Sequence, residues 1–396
     1  MATTGVRSTG PVNDPGDAIL ECAYFAAGQC RSCTHLGRPY AAQLADKNSA
    51  AGAALASRVP ARAWEPPFAS APSGFRNKAK LVVGGSPGAV TVGILGPDRR
   101  GVDLRGCALH EPALRRALPE VAAHLDDLRL LPYDVGRRRG ELKYVHVTAN
   151  PAGEFLVRVV LRSERQAPRV RNGLAALRER LPGLRVATIN YLPEHVALLD
   201  GPEEDVLTPA VTLPMDLGRL TLHVGPRSFF QTNTEVAAGL YEQARGWLGD
   251  LAPASILDLY CGVGGFGLYA ATLPQAPTVR GVEVSEDAVA SARHTLTELR
   301  ATGAVRGDVR FSVGDATAAL ADAECVVVNP PRRGIGHELA AAIEAGPARA
   351  LVYSSCNPAS LATDLAALTS FRVERARLFD MFPQTGHAEV LVLATR

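Results

Sequence analysis

The stretch that most constrains the fold is a glycine-rich turn between an apolar strand and a helix. Residues 254–267 read Ala-Ser-Ile-Leu-Asp-Leu-Tyr-Cys-Gly-Val-Gly-Gly-Phe-Gly, which contains the spacing G-x-G-x-x-G at Gly262, Gly264 and Gly267. Such a turn lets a nucleotide-like cofactor approach the backbone where a helix begins. Glu283 follows about 20 residues later, where a carboxylate can accept hydrogen bonds from ribose hydroxyls. Taken alone, this pattern suits NAD equally well.

Further strands follow this turn at short intervals, with helical segments between most of them. Apolar runs predict the strands, which lie at 279–284, 309–313, 324–328, 349–354, 372–378 and 389–395. Alternation of strands and helices at this density is typical of a doubly wound, Rossmann-like parallel sheet. We therefore predict an α/β domain over residues 216–396.

Two features favour S-adenosylmethionine over NAD as the cofactor of this domain. Asp258 lies four residues before Gly262, and the motif D-x-x-x-G-x-G is the usual opening of S-adenosylmethionine-dependent methyltransferases. The strand at 324–328 ends in Asn329-Pro-Pro331, a polar side chain on a rigid turn above the cofactor crevice, which a dehydrogenase does not need. The combination predicts a methyltransferase.

The strand at 349–354 leads directly into a cysteine, Cys356, and the strand at 389–395 begins with Glu389. C5 of a pyrimidine is an unactivated carbon, and a thiolate that adds at C6 turns C5 into a nucleophile. A base must then remove the C5 proton. Cys356 and Glu389 fit these two roles, so the sequence favours covalent methylation of a pyrimidine carbon.

Four of the seven cysteines suggest a metal centre near the N-terminus. Cys22, Cys30 and Cys33 lie in a short segment with few apolar residues, and Cys107 follows much later. An odd number of cysteines without a secretion signal argues against a disulfide framework. Four thiolates suit tetrahedral zinc or an iron–sulfur cluster. A lone, distant fourth cysteine is more typical of a cluster, but spacing alone leaves both open.

The remaining segments indicate a mixed domain between the cysteines and the methyltransferase region. Residues 74–95 predict a β-hairpin with a basic edge, 142–148 and 154–162 predict strands, 170–181 a helix and 186–191 a strand. The first 220 residues carry a formal charge of +6 and the rest −4, which fits a polyanion-binding front half but is equally compatible with a solvated surface. Arg76, Lys78, Lys80 and the run 137–139 are the candidate phosphate contacts.

The N-terminus and the hydropathy pattern bear on location. Residues 1–17 are rich in Gly, Thr and Pro and lack the apolar core of a signal peptide. No apolar run approaches the length of a membrane span. We expect a cytoplasmic protein with no membrane association.

Taken together, the motifs resemble the bacterial RNA uracil-C5 methyltransferase family, most closely its branch that acts on 23S ribosomal RNA. Matching segments run nearly from end to end and include Gly74-Phe-Arg-Asn-Lys-Ala-Lys80, Ser228-Phe-Phe-Gln-Thr-Asn233, Val328-Asn-Pro-Pro-Arg-Arg-Gly-Ile-Gly336, Ser354-Ser-Cys-Asn357 and Phe379-Asp-Met-Phe-Pro-Gln-Thr-Gly-His-Ala-Glu389. Tyr260 replaces a common Phe, and Asn329 stands where other branches carry Asp.

The resemblance implies a role for each site residue. Cys356 is the expected nucleophile and Glu389 the expected general base. Cys22, Cys30, Cys33 and Cys107 are the expected ligands of a [4Fe-4S] cluster. The expected S-adenosylmethionine contacts are Gln231, Tyr260, Glu283 and Asn329.

The resemblance also implies an organisation and a substrate. We expect a disordered tail over 1–20, a cysteine-rich segment over 21–70, a central α+β RNA-binding domain over 71–215 and the methyltransferase domain over 216–396. The expected substrate is a uridine of 23S ribosomal RNA, modified by a monomeric enzyme. The alternatives are a uracil-C5 methyltransferase acting on tRNA, and a non-catalytic RNA-binding iron–sulfur protein.

Overall fold

The computed structural model of the chain describes residues 19–318 and 322–396. The tail predicted to be disordered lies outside the described residues except for its last two positions. Two seven-stranded sheets and a two-stranded hairpin make up the β-structure of the described part.

The N-terminal segment begins with a single helical turn and continues as a longer helix. The turn α1 (Ala23–Ala26) directly follows Cys22, and α2 (Tyr40–Leu55) ends before a short 3₁₀ turn at Ala61–Ala63. Helix α2 packs on a helix near the C-terminus, and Ala51 and Leu55 of α2 belong to the hydrophobic core of the second sheet. The segment that follows the first three cysteines therefore packs directly against the methyltransferase region.

The first sheet lies within residues 78–206 and carries its helices on one face. Its order is β3-β2-β1-β4-β5-β6-β7, and α3, α4 and α5 belong to the same part of the chain. The elements in chain order are β1 (Lys78–Ser86), β2 (Ala89–Leu95), β3 (Gly101–Asp103), α3 (Pro112–Asp127), β4 (Leu142–Ala149), β5 (Phe155–Leu161), α4 (Ala167–Asn172), α5 (Leu174–Arg180), β6 (Leu184–Tyr191) and β7 (Glu203–Val206).

The helix predicted over 170–181 is in fact two short helices separated at Gly173. A Cβ at Gly173 would lie 2.7 Å from Leu128 Cδ2. The close approach of this segment to the end of α3 therefore accounts for the glycine at the break.

A two-stranded hairpin and a second seven-stranded sheet complete the chain. The sheet has the order β12-β11-β10-β13-β14-β16-β15. The elements are β8 (Leu213–Asp216), β9 (Thr221–Val224), α6 (Thr234–Leu251), β10 (Ser255–Leu259), α7 (Gly265–Ala271), β11 (Thr278–Glu283), α8 (Glu286–Ala301), β12 (Val309–Val313), β13 (Cys325–Val328), α9 (Gly336–Ala345), β14 (Ala350–Ser355), α10 (Pro358–Ala367), β15 (Arg372–Phe379) and β16 (Glu389–Thr395).

The doubly wound architecture is confirmed, because apolar cores lie on both faces of this sheet. Side chains of α6, α7 and α8 form one core, and those of α2, α9 and α10 contribute to the other. The order reverses between β10 and β13, and ligands of such sheets bind at this switch point beyond the carboxyl ends of the strands.

The prediction of a wholly parallel sheet is wrong at one edge. Strands β10 to β14 pair in parallel, but β16 pairs antiparallel with both β14 and β15. The connection between β15 and β16 is too short to hold a crossover helix, so the chain must turn back on itself. Strand β16 is inserted between β14 and β15, and this brings its first residue to the carboxyl end of β14.

Among the described residues, no helix has the length and apolarity needed to cross a membrane.

Candidate active site

A cavity of about 880 Å³ opens at the carboxyl ends of the parallel strands. It lies at the switch point, where the turn after β10 and the turn after β13 face each other. All six residues predicted for catalysis and cofactor binding line this one cavity, namely Gln231, Tyr260, Glu283, Asn329, Cys356 and Glu389. Sequence reasoning therefore selected side chains that the fold brings together.

The glycine-rich turn forms one wall of the cavity. Gly262 has a φ of +54°, and no protein atom lies within 4 Å of the position that a Cβ would occupy. Left-handed backbone favours glycine. Since glycine has no side chain, the backbone at this position is exposed to the cavity. Gly267 has a different function, since a Cβ there would lie 2.8 Å from Oδ2 of Asp258, which accepts a hydrogen bond from the Gly267 N–H.

Glu283 and Gln231 are both held in place by hydrogen bonds. The Glu283 carboxylate accepts from the Gly262 N–H at 3.2 Å and from the Ser285 N–H at 3.0 Å. The backbone carbonyl of Gln231 accepts from the side chain of Asn77 at 3.0 Å, which ties this segment to the first sheet. The exposed backbone at Gly262 and the fixed carboxylate of Glu283 together suit binding of the ribose of S-adenosylmethionine.

Cys356 and Glu389 lie across from each other at the end of an antiparallel strand pair. Ser354 pairs with Leu391 and Ser355 with Val390, so one further step along the same register puts Cys356 opposite Glu389. A thiol and a carboxyl group from two strands thus reach the cavity together.

The Glu389 carboxyl group is buried, and burial raises its pKa from 4.5 to about 7. The hydroxyl of Ser354 donates to Glu389 Oε1 at 2.6 Å, which favours the carboxylate and opposes that shift. A carboxyl group with a pKa near neutrality is suited to proton transfer, because it can both accept and release a proton at working pH.

Cys356 is partly buried, and two charged neighbours act on its thiol in opposite directions. Burial raises the pKa of Cys356, and the nearby Glu389 raises it further. The positive charge of the nearby Arg332 lowers that pKa. Since the thiolate is the nucleophile, Arg332 is the group that favours the reactive form.

Sequence reasoning did not assign roles to three residues of this site: Arg332, Ser354 and Phe229. Ser354 and Cys356 are two residues apart, and the period of a strand predicts that they face the same way. Phe229 lines the cavity yet is 70% exposed. An aromatic side chain that packs in a core is rarely so exposed, which suggests a binding role for Phe229. The signal in the sequence was the motif Ser228-Phe-Phe-Gln231.

The four predicted cluster cysteines lie near one another, and none of them lines the cavity. Burial raises the pKa of Cys33 to about 11, and the neighbouring thiols of Cys107, Cys30 and Cys22 raise it as well. None of the four forms a disulfide. Tyr24 connects the segment that holds Cys22, Cys30 and Cys33 with the segment that holds Cys107, because its hydroxyl accepts a hydrogen bond from the Gly106 N–H at 3.1 Å.

The candidate phosphate contacts occupy different environments. Arg137, Arg138 and Arg139 are exposed, and their contact with RNA stays a prediction. Lys80 instead lies 3.5 Å from Asp200, and the same carboxylate pairs with the buried Arg158. The positive charge of the strand edge at Lys78 and Lys80 is thus partly neutralised by acidic side chains, which the sequence pattern did not predict to lie there.

Comparison with known proteins identifies the family. A 23S rRNA (uracil(747)-C(5))-methyltransferase RlmC from Shewanella loihica is 41% identical over 384 residues, which cover 95% of this chain and 99% of the relative. Its counterpart from Halothiobacillus neapolitanus is 42% identical and covers 95% and 100% of the two chains. The chain belongs to the RNA uracil-C5 methyltransferase family. The family described as tRNA (Uracil-5-)-methyltransferase also matches residues 211–396 of this uracil-C5 methyltransferase.

A solved structure shows the same fold. The tRNA (uracil-54, C5)-methyltransferase of Pyrococcus abyssi, in complex with S-adenosyl-L-homocysteine, superposes with a TM-score of 0.76. The match covers 92% of this chain and 85% of that one at 22% identity. Family and fold together support S-adenosylmethionine as the methyl donor of this uracil-C5 methyltransferase.

Proposed function

We propose that this protein transfers a methyl group from S-adenosylmethionine to C5 of one uridine in 23S ribosomal RNA. The observation that carries the proposal is the placement of Cys356 and Glu389 opposite each other in a cavity lined by the glycine-rich turn. The names of the relatives specify the substrate, and we propose the uridine equivalent to position 747 as the target.

The first chemical task is to make C5 nucleophilic. The Cys356 thiolate adds to C6 of the uracil ring, and the electron pair displaced from the C5–C6 double bond gives C5 enolate character. Arg332 supports this step because it lowers the pKa of the thiol. When bound, S-adenosylmethionine would supply the methyl group to C5, and the electron pair of its methyl–sulfur bond would leave with S-adenosylhomocysteine.

The second task is to restore the aromatic base. Glu389, as the carboxylate, takes the proton from C5. The electron pair of the C5–H bond then re-forms the C5–C6 double bond, and the bond from C6 to sulfur breaks. Cys356 leaves as a thiolate, so the enzyme is ready for another cycle after Glu389 loses its proton to solvent.

The cofactor would be held by the residues that surround the turn. We propose that Glu283 binds the ribose, while Gln231, Tyr260 and Asn329 contact the rest of the S-adenosylmethionine molecule. All four line the cavity, and the open backbone at Gly262 leaves room for a ligand.

The four clustered cysteines would hold a [4Fe-4S] cluster. Four thiolates suit tetrahedral zinc or an iron–sulfur cluster, and the lone, distant Cys107 is more typical of a cluster. Four neighbouring thiolates repel one another and need such a cationic centre. The methyl transfer has no redox step, so the cluster would serve to fix the N-terminal segment.

The RNA would reach the cavity by way of an exposed aromatic ring and a basic surface. Phe229 offers a face on which a displaced base can stack, since single-stranded RNA bases commonly stack on aromatic side chains. The exposed run at 137–139 can contact phosphates, where arginine forms bidentate hydrogen bonds. The target uridine must leave its stack to meet Cys356.

The proposal is tested by mapping 5-methyluridine. The purified protein, S-adenosylmethionine and either 23S rRNA or tRNA from cells without the gene are incubated, and the products are mapped by mass spectrometry. We expect one new 5-methyluridine in 23S rRNA that is absent from cells lacking the gene. Methylation of tRNA alone would assign the protein to the tRNA-modifying alternative, and no methylation of either RNA would contradict the proposal.

A further inference from the structure

The loop that precedes Glu389 is held by side chains of the N-terminal helix α2, in addition to bonds with the backbone of Phe68 and Pro72. We define the base loop as residues 380–388, which connect β15 to β16. On helix α2, Gln43 and Lys47 are both buried and face this loop. The two residues are four positions apart and therefore share one face of the helix.

Gln43 forms a reciprocal pair of hydrogen bonds with Gln384 of the base loop. Its Nε2 donates to Gln384 Oε1 at 3.0 Å, and its Oε1 accepts from the Gln384 backbone N–H at 3.1 Å. Gln384 is buried and has a φ of +68°, a conformation that costs free energy for any residue other than glycine. Two bonds from one side chain thus hold the loop in an unfavourable backbone conformation.

Lys47 holds the start of the same loop. Its ammonium group donates to Asp380 Oδ1 at 2.7 Å and to the Phe382 carbonyl at 3.0 Å. The side chains of Lys47 and Asp380 are 2% and 0% exposed. Phe382 lines the same cavity as Glu389, so the contact extends to the wall of the active site.

We propose that Gln43 and Lys47 are positioning residues for the general base. They fix the base loop so that Glu389 begins β16 at the point where it can reach the C5 proton. The inference rests on the proposed function, because it assigns a purpose to Glu389. It also explains why a helix directly after the cysteine segment packs on the methyltransferase sheet, since the His35 N–H of that segment donates to the Gln384 carbonyl at 3.0 Å as well.

The position of the base affects one step in particular. Removal of the C5 proton comes after the bond from sulfur to C6 has formed, so a misplaced Glu389 leaves the protein attached to RNA. A misplacement of about 1 Å can slow a reaction about a hundredfold. None of the four expected S-adenosylmethionine contacts lies in the base loop, so we expect binding of S-adenosylmethionine to be unchanged.

The test uses Gln43→Met in the full-length protein, because methionine keeps the length of the side chain and removes both hydrogen bonds to Gln384, together with the bond from Gln43 Nε2 to the Arg38 carbonyl. The matched control is Gln275→Met, the same change at an exposed glutamine after α7. The substrate is a synthetic 23S rRNA hairpin with hydrogen or deuterium at C5 of the target uridine. Melting temperature and S-adenosylhomocysteine affinity report on folding.

We expect Gln43→Met to lower kcat about tenfold to a hundredfold, to raise the deuterium isotope effect and to increase the fraction of protein covalently bound to RNA. Gln384→Met removes the bond from Gln43 Nε2 and the bond from Gln384 Nε2 to the Pro72 carbonyl, while its backbone N–H can still donate to Gln43, so we expect a decrease in the same direction. The double variant should lose less than the sum of the two single variants, because both remove the bond between the two side chains. If Gln43→Met destabilises the protein, Gln384→Met is compared with the wild type instead, at a temperature below the melting points of both proteins.

An isotope effect and an adduct fraction equal to those of the wild type would overturn the positioning role, whether kcat fell or not. A wild-type protein that makes no 5-methyluridine would instead refute the proposed function. The two failures are therefore distinguishable in a single experiment.

Discussion

The Ser354 hydroxyl donates a 2.6 Å hydrogen bond to Oε1 of Glu389 inside the protein. The pKa of Glu389 is raised to about 7, because burial raises it by more than this hydrogen bond, which stabilises the carboxylate, lowers it. Ser354→Ala should therefore raise the pKa further. A hydrogen bond to a charged group is worth about 1.5–3 kcal/mol, so the shift should be about one pH unit or more.

The sign of the effect on rate follows from the role of Glu389 as a base. Only the carboxylate can accept the C5 proton, so the rate rises with pH through the pKa of Glu389. In Ser354→Ala the acidic limb of the profile of single-turnover rate against pH should move to higher pH. Ser355→Ala is the control, since its hydroxyl bonds to the backbone of Asn357 instead. An unchanged acidic limb would remove Ser354 from the mechanism.

Arg332 is expected to matter for formation of the covalent bond. Because it lowers the pKa of Cys356, Arg332→Met should raise that pKa and decrease the thiolate fraction near neutral pH. We expect a loss of about tenfold or more in methyl transfer that higher pH partly restores, since one pKa unit changes the thiolate fraction about tenfold. The rate of thiol alkylation against pH measures the pKa directly, with Arg349→Met as an exposed control. A thiol pKa equal to that of the wild type would contradict this role.

The four clustered cysteines give a prediction about the metal content of the purified protein rather than about its rate of methyl transfer. The wild-type protein purified without oxygen should contain iron and acid-labile sulfide, and Cys33→Ser should lose most of both. Cys325→Ala, which changes a buried cysteine of β13 outside the set, should retain them. Elemental analysis decides the matter, and a protein that contains zinc in place of iron would show that the cluster assignment is wrong.

Much of the fold followed from periodicity and turn chemistry. The strand before Gly262, the helix after it and most later strands could be predicted, since parallel strands buried on both faces are short apolar runs between turns. The antiparallel edge could not, because strand direction depends on how the chain returns after β15, and pairing across a sheet leaves no local signal in an apolar run such as β16.

The site was predictable as a set of residues but not as an arrangement. Motifs pointed to Cys356 and Glu389, whereas their mutual placement arises from the register of β14 with β16. The effect of Arg332 on the thiol and the contacts of Gln43 and Lys47 with the base loop join residues far apart in the chain. Such contacts form only on folding, and no sequence spacing reports them.

The central claim is that position 356 forms a transient bond to the RNA and position 389 ends it. The most direct measurement uses Glu389→Gln, which keeps the shape of the side chain but cannot accept the C5 proton. The protein is incubated with S-adenosylmethionine and 23S rRNA, denatured, digested and examined by mass spectrometry.

We expect a denaturation-resistant adduct in which the peptide containing Cys356 carries a methylated uridine, and no adduct when Cys356→Ala is added. If Glu389→Gln released 5-methyluridine as fast as the wild type, or if the adduct mapped to a residue other than Cys356, the account would be contradicted.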